Sequence, residues 1–94
     1  MRVKWLRAAL VDVDAVADFI ARCDPAAADR VTDRIMRAVE QLAEHPAIGR
    51  AGRVKGTREL VVSGTPFIIP YRVREGAVEV LRVLHAARRW PTEF

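Results

Sequence analysis

The sequence contains little cysteine and no long apolar run, and both absences narrow the classes to which the protein can belong. Its single cysteine, Cys23, excludes an internal disulfide and is too little for a thiolate metal site. No apolar stretch approaches the roughly 20 residues that a membrane-spanning helix requires. We therefore expect a cytoplasmic protein with no membrane role. His45 and His85 lie far apart without nearby cysteines, so no metal site is predicted. Residues 49–52 lack the pattern of a phosphate-binding loop, and no cofactor is expected.

Charge is present in quantity but is unevenly distributed. Residues 1–48 contain seven Lys or Arg against eight Asp or Glu, whereas residues 49–94 contain nine against four. Fourteen of the sixteen basic residues are Arg, whose planar guanidinium pairs well with carboxylates and phosphates. The second half is therefore predicted to face an anionic partner, either nucleic acid or an acidic protein segment. The alternative is that the excess charge serves only solubility.

The 94 residues fit one domain, residues 1–94, which begins with a helical half. The pattern predicts a short strand over residues 3–6 and two helices over 7–23 and 25–44. Asp24 followed by Pro25 predicts an N-cap and a first-turn proline for the second helix. Each helix has one apolar stripe, so the two together are predicted to form a helical hairpin that lies on another layer.

The second half supplies that layer. Residues 46–56, which are rich in glycine and Arg, are predicted to form a loop. Strands are predicted over 57–63, 67–74 and 78–84, with turns at 64–66 and 75–76. Pro70 indicates that the second of these strands lies at an edge or is bulged. The predicted fold is α+β, in the order β-α-α-β-β-β, with the N-terminal helical hairpin packed on a small, mostly antiparallel sheet.

Three stretches of the chain together carry a resemblance to a known family. They are AEHPAIGR (43–50), GTRELVV (56–62), and YRV (71–73) with VLRVLHAARRW (80–90). In this order and spacing the sequence resembles the ParE/RelE superfamily of bacterial toxins over nearly its whole length. The resemblance implies the toxin of a type II toxin–antitoxin system. It also implies a cognate ParD-like antitoxin as partner, in a heterotetramer or larger complex.

The superfamily divides by target, and the residues favour one branch. RelE-like members are ribosome-dependent messenger endoribonucleases, whereas ParE-like members block DNA gyrase without catalytic residues. RelE-like enzymes place lysines in the strand corresponding to 60–63 and an arginine at the start of the next strand. Those positions hold Leu60, Val61, Val62 and Ser63, then Phe67 and Ile68. None of these titrates near neutral pH, so we predict a gyrase-binding toxin with no catalytic residue.

Two alternatives remain open. The first is a metal-independent ribonuclease in which His85 acts with Tyr71, Arg82 and Arg88. The second is a module that binds DNA directly. Direct binding of nucleic acid is not expected except through the target, because no helix is basic enough to enter a groove.

The surface that contacts the target or the partner is expected to combine Arg with an aromatic plane. Its predicted members are Arg58, Arg72, Arg82, His85, Arg88, Arg89 and Trp90. Arg and Trp are the residue types that most often dominate interface energies. The segment beyond Leu84 is expected to leave the sheet, and it resembles the family's C-terminal region, which is tied to toxicity. The alternative for Trp90 is that it folds back on the sheet.

Overall fold

Two helices lie on one face of a six-stranded sheet in the computed structural model, which describes residues 1–94. The strands are β1 (Arg2–Trp5), β2 (Arg50–Ala51), β3 (Arg58–Val61), β4 (Phe67–Arg74), β5 (Ala77–Val80) and β6 (Leu84–His85). The helices are α1 (Arg7–Ala21) and α2 (Pro25–Glu40), followed by a 3-10 turn (Gln41–Ala43). The predicted α+β class and the helical hairpin are confirmed. No helix is long and apolar enough to cross a membrane.

The sheet has the order β1-β5-β4-β3-β2, and β6 pairs with β4 beyond the end of β5. β1 runs parallel to β5, and every other pair is antiparallel. The sheet is therefore mostly antiparallel, as predicted. β2 was missed because it is only two residues long and lies inside the glycine-rich stretch predicted to be a loop.

The helical hairpin forms where the sequence predicts it. The side chain of Asp24 accepts a hydrogen bond from the Ala27 N–H at 3.1 Å, and Pro25 occupies the first turn of α2. The α-helix ends at Glu40 rather than at residue 44, and the last turn tightens to a 3-10 turn. Pro46 disfavours helical backbone at His45, so the helical segment does not continue beyond the 3-10 turn.

The main core lies between the hairpin and the sheet. Alternate residues of β4 point toward the helices, and these residues pack with the apolar stripe of α2. The most deeply buried side chains of this layer are Ile35, Leu42, Val62, Ile69, Tyr71, Val78 and Val80. Burial of one such aliphatic side chain contributes about 1.5–3 kcal/mol, so the core supplies most of the force that holds the two layers together.

The opposite face of the sheet is also covered. Ile68 and Pro70 point away from the helices by strand alternation, yet both are buried. Glu59 pairs with Pro70 across the sheet and accepts from the Arg53 N–H at 2.8 Å, which places the loop after α2 on this face. The guanidinium carbon of Arg53 lies 3.7 Å from the ring centre of Trp90, so the C-terminal tail packs on this loop. β4 is therefore a central strand with both faces buried.

The pairing of β4 changes partner at Pro70. The carbonyl of Pro70 accepts a hydrogen bond from the Leu81 N–H at 2.9 Å, but a proline has no N–H to donate in return. Between the pairing of β4 with β5 and its pairing with β6, the register shifts by one residue. The extra residue is a β-bulge in the chain opposite Pro70. The predicted edge position is therefore wrong, and the bulge at Pro70 lies in the opposite chain rather than in the strand for which it was predicted. The single predicted strand over 78–84 is divided into β5 and β6.

A carboxylate from the helical layer binds the polar groups at this break. Asp12 of α1 accepts hydrogen bonds from the Val83 N–H at 2.9 Å, from Arg82 Nε at 2.6 Å and from Arg82 Nη2 at 3.0 Å. The Asp12 and Arg82 side chains are 15% and 32% exposed, so solvent screens the pair only in part. Asp12 thus fixes α1 to the bulge.

Replacement of Asp12 should therefore destabilise the fold. We expect Asp12→Ala to lower the free energy of unfolding by about 1–3 kcal/mol, because it leaves the Val83 N–H and the Arg82 guanidinium without their acceptor. Asp14 lies on the same helix but is exposed and makes no hydrogen bond, so Asp14→Ala should change stability by less than about 0.5 kcal/mol. Urea unfolding of both variants measures the difference. Equal effects would show that the bulge does not depend on Asp12.

Candidate target-contacting surface

The structure separates the predicted site residues into those with intramolecular partners and those that are free. Arg82 belongs to the first group, because its Nε and Nη2 both donate to the Asp12 carboxylate. Its hydrogen bond with Asp12 raises the pKa of Arg82 above the ordinary value for arginine. The side chain is therefore a permanent cation with a fixed intramolecular partner.

Arg72 and Arg58 are also held within the protein. Arg72 donates to Glu79 at 2.7 Å, and this hydrogen bond lowers the pKa of Glu79 below its ordinary value. Arg58 donates to the backbone carbonyls of Gly49 at 2.9 Å and Ala47 at 3.3 Å. Both arginines thus secure local structure, Arg72 through Nε and Arg58 through Nη1.

The hydroxyl group of Tyr71 makes two hydrogen bonds within the protein. The side chain is fully buried, and its oxygen accepts from the Gly49 N–H at 2.9 Å and donates to the Pro46 carbonyl at 2.8 Å. A Cβ at Gly49 would lie 2.6 Å from the Tyr71 ring and hydroxyl, so only glycine fits this approach. These contacts hold the loop after α2 against the sheet.

His85 lies at the end of the sheet. It is paired with Phe67 in β6, so the expectation that the chain leaves the sheet beyond Leu84 is wrong by one residue. The His85 ring meets the Phe67 ring edge-on at 5.6 Å, and its Nδ1 accepts from the Ala87 N–H at 3.1 Å. The ring thus stabilises the turn that begins the C-terminal tail.

The tail contains the free cations. Arg88 and Arg89 are exposed and make no side-chain hydrogen bond or ion pair within the chain. Trp90 is half-buried: its Nε1–H donates to the His85 carbonyl at 3.1 Å, and Arg53 stacks on its ring. The tail therefore holds an aromatic anchor beside two available guanidinium groups.

A second surface, which the sequence did not indicate, lies between α2 and β3. It is a groove of about 510 Å³, lined on the helix by three arginines and one carboxylate (Arg30, Asp33, Arg34 and Arg37) and on the sheet by residues 60–63. Arg37 is ion-paired with Asp33 at 2.9 Å. β2 covers only the first two residues of β3, so the edge beyond Glu59 has no neighbouring strand. Arg34 donates to the Ser63 carbonyl at 2.9 Å at this edge. The recurrence of Arg at positions 30, 34 and 37, one face of α2, is the sequence signal that could have revealed the groove.

Known proteins resemble the chain in both sequence and structure. Residues 3–90 match the family described as the ParE toxin of type II toxin-antitoxin system, parDE. The chain belongs to the ParE toxin family. It is thus a toxin of a type II toxin–antitoxin system, which confirms the coarser part of the prediction.

Relatives and a solved structure agree with this assignment. The chain is 50% identical over 90 residues to the candidate toxin Y4kP of Sinorhizobium fredii, with 96% and 93% of the two chains covered. It is 41% identical over 87 residues to toxin RelE2 of Caulobacter vibrioides, covering 93% and 97%. A chain of the chromosomal ParDE system from P. aeruginosa superposes with a TM-score of 0.81 at 31% identity, over 90% of this chain and 95% of that one.

The buried hydroxyl of Tyr71 generates a prediction for this ParE-family chain. We expect Tyr71→Phe to lower the free energy of unfolding by about 1–3 kcal/mol, because the buried Gly49 N–H and Pro46 carbonyl lose their partner. Growth inhibition by this variant should fall only in proportion to the loss of folded protein. Thermal unfolding and colony counts after induction measure the two quantities. Full stability combined with lost toxicity would instead assign Tyr71 a direct role in the activity.

Proposed function

We propose that this chain inhibits growth by binding DNA gyrase and that a ParD-like antitoxin neutralises it. The proposal that the chain binds gyrase rather than cleaving RNA rests on one observation, the lack of a pair of proton-transfer groups on the sheet. Cleavage of RNA without a metal needs one group that accepts a proton, another that donates one, and cations around the phosphate. The corresponding strand positions hold Leu60, Val62 and Ile68, all of which are buried and apolar.

The remaining candidates for catalysis are engaged elsewhere. The Tyr71 hydroxyl is buried between two backbone groups, and Arg82 is held by Asp12. His85 is then the one imidazole of the predicted set, and it is not fully buried. A single imidazole without a second proton-transfer group supports a binding function more than a nuclease.

The free cations and the aromatic anchor of the tail suit a binding role. Arg88 and Arg89 are exposed next to Trp90, and Arg and Trp commonly dominate protein interfaces. The tail is therefore proposed as the principal surface that contacts gyrase. The other predicted arginines, Arg58, Arg72 and Arg82, support the fold beneath it.

A messenger ribonuclease of the RelE type is the second candidate function. Two relatives from Caulobacter vibrioides carry the names RelE2 and RelE3, at 41% and 40% identity. His85 at the end of β6, close in sequence to Arg88, is the group on which such an activity would depend. This alternative predicts cleavage of translated messages that requires His85.

The gyrase proposal predicts a specific effect of removing the tail cations. Arg88→Ala combined with Arg89→Ala should weaken inhibition of gyrase supercoiling about thirtyfold or more, since loss of one buried interfacial Arg costs about 2–5 kcal/mol. The far-ultraviolet circular dichroism spectrum should not change, because neither side chain has a partner within the protein. Supercoiling assays with purified gyrase measure the effect.

His85→Ala is the control for this experiment. It lies in the same segment but removes no positive guanidinium, and it should keep most of the inhibition. Primer extension on translated messages detects any cleavage. Site-specific cleavage that disappears in His85→Ala would support the ribonuclease and contradict the gyrase proposal, as would full toxicity of the folded Arg88/Arg89 variant.

The groove between α2 and β3 is proposed to bind the antitoxin in a heterotetramer or larger complex. It combines three arginines and one carboxylate, Asp33, with an apolar floor and an open strand edge. The remaining net positive charge and the apolar floor together fit an acidic, partly apolar segment. The solved relative from P. aeruginosa is described as a ParDE system, which supports a ParD-like partner. A stable complex should bury roughly 1,600 Å² in total.

Charge reversal tests the antitoxin site. Arg37→Glu should weaken binding of the antitoxin encoded by the neighbouring gene by about tenfold or more, because like charges would then face each other in the groove. Arg7→Glu makes the same change at the exposed start of α1 and should leave binding nearly unchanged. Co-purification and calorimetry provide the measurements. Equal binding by both variants would place the antitoxin elsewhere, and separate elution of the unmodified proteins would contradict the pairing.

A further inference from the structure

Glu59 is the one acidic or basic residue that is buried in this protein, with a residue exposure of 3%. It stands directly opposite Pro70 in the pairing of β3 with β4, on the face of the sheet away from the helices. Its carboxylate accepts from Arg50 Nη2 at 3.1 Å and from the Arg53 N–H at 2.8 Å. A buried carboxylate needs such partners, and here the loop after α2 provides them.

The guanidinium of Arg53 connects this carboxylate to the tail. Its Nε lies 3.6 Å from Glu59 Oε2, and its central carbon lies 3.7 Å from the centre of the Trp90 ring. The indole N–H of Trp90 donates to the His85 carbonyl. Trp90 is thus held on its face by Arg53 and at its edge by the end of β6.

The contacts of His85 and Trp90 restrict the conformation of the segment between these two residues. His85 is paired in the sheet and Trp90 is stacked on Arg53, so residues 86–89 form a short arch that carries Arg88 and Arg89. A segment that is already ordered loses less conformational entropy when it binds. The direction in which the two guanidinium groups project is therefore set by the Trp90 contact.

We propose that Arg53 is a positioning residue for the tail: it holds Trp90 against the sheet and thereby presents Arg88 and Arg89 to the target. This inference rests on the proposed role of the tail in contacting the target. Arg53 itself is covered on one side by Trp90 and need not touch gyrase. Arg50 shares the buried partner Glu59 but makes no contact with the Trp90 ring.

Arg50 therefore offers a matched control. Arg53→Ala and Arg50→Ala each remove one positive charge. Arg50→Ala removes two hydrogen bonds to Glu59, whereas Arg53→Ala keeps the backbone N–H bond to Glu59 and removes only the longer ion pair. Only Arg53→Ala removes the stack on Trp90, so a change in Trp90 seen in that variant alone cannot come from the weakened binding of Glu59. In a common Trp5→Phe background, Trp90 is the sole tryptophan and reports on its own environment. Acrylamide is the appropriate quencher because it is neutral and insensitive to the lost charge.

The size of the expected effects follows from the energy of the cation–π contact between Arg53 and Trp90, which lies at the surface. Arg53→Ala should shift Trp90 emission to longer wavelength, raise its acrylamide quenching constant and weaken growth and gyrase inhibition about two- to fivefold. Arg50→Ala should leave the emission, the quenching and both inhibitions near those of the background. In a Trp90→Ala background, Arg53→Ala should cause no further loss of inhibition.

Several outcomes would overturn the inference. One is unchanged Trp90 quenching in folded Arg53→Ala, and another is an equal loss of inhibition in Arg50→Ala. A further loss caused by Arg53→Ala in the Trp90→Ala background would show that Arg53 acts independently of Trp90. If the unmodified protein does not inhibit gyrase, the gyrase proposal fails, while quenching and growth inhibition still decide the role of Arg53.

Discussion

The carboxylate of Asp12 binds the polar groups at the point where the sheet is interrupted. Pro70 cannot donate a hydrogen bond to the strand beside it, and the register shifts by one residue there. The bulge exposes the Val83 N–H toward α1, and Asp12 accepts from it and from Arg82 together. The position of α1, the end of β5 and the start of β6 all depend on this one contact.

Most of the arginines in residues 49–94 bind other groups within the protein. Arg82, Arg72 and Arg58 are each bound to a carboxylate or to backbone carbonyls. The net charge of that half therefore overstates what a partner encounters. The tail holds two exposed arginines without an intramolecular partner, Arg88 and Arg89. The arginines of the groove on α2 each have a partner: Asp24 for Arg30, the Ser63 carbonyl for Arg34 and Asp33 for Arg37. Two distinct surfaces on one small domain are consistent with separate sites for a target and an antitoxin.

The coverage of the second face of the sheet links stability to the proposed activity. A chain of this length has few residues with which to bury both faces of a central strand. Here the loop after α2 lies on that face, and Trp90 of the tail stacks on Arg53 of the loop. The same tail carries the exposed Arg88 and Arg89, so the surface proposed to contact the target is held by a residue that packs on the loop.

The sequence alone determined the α+β class, the helical hairpin with its cap at Asp24, and the membership of the toxin superfamily. These follow from periodicity, capping and local motifs, which act over a few residues. The bulge, the central position of β4 and the commitment of Arg82 required the tertiary structure. Asp12 and Arg82 are seventy positions apart, and no local pattern signals that they meet. Free and bound arginines look identical in a sequence, since their availability depends on which distant carboxylate the fold brings within hydrogen-bonding distance.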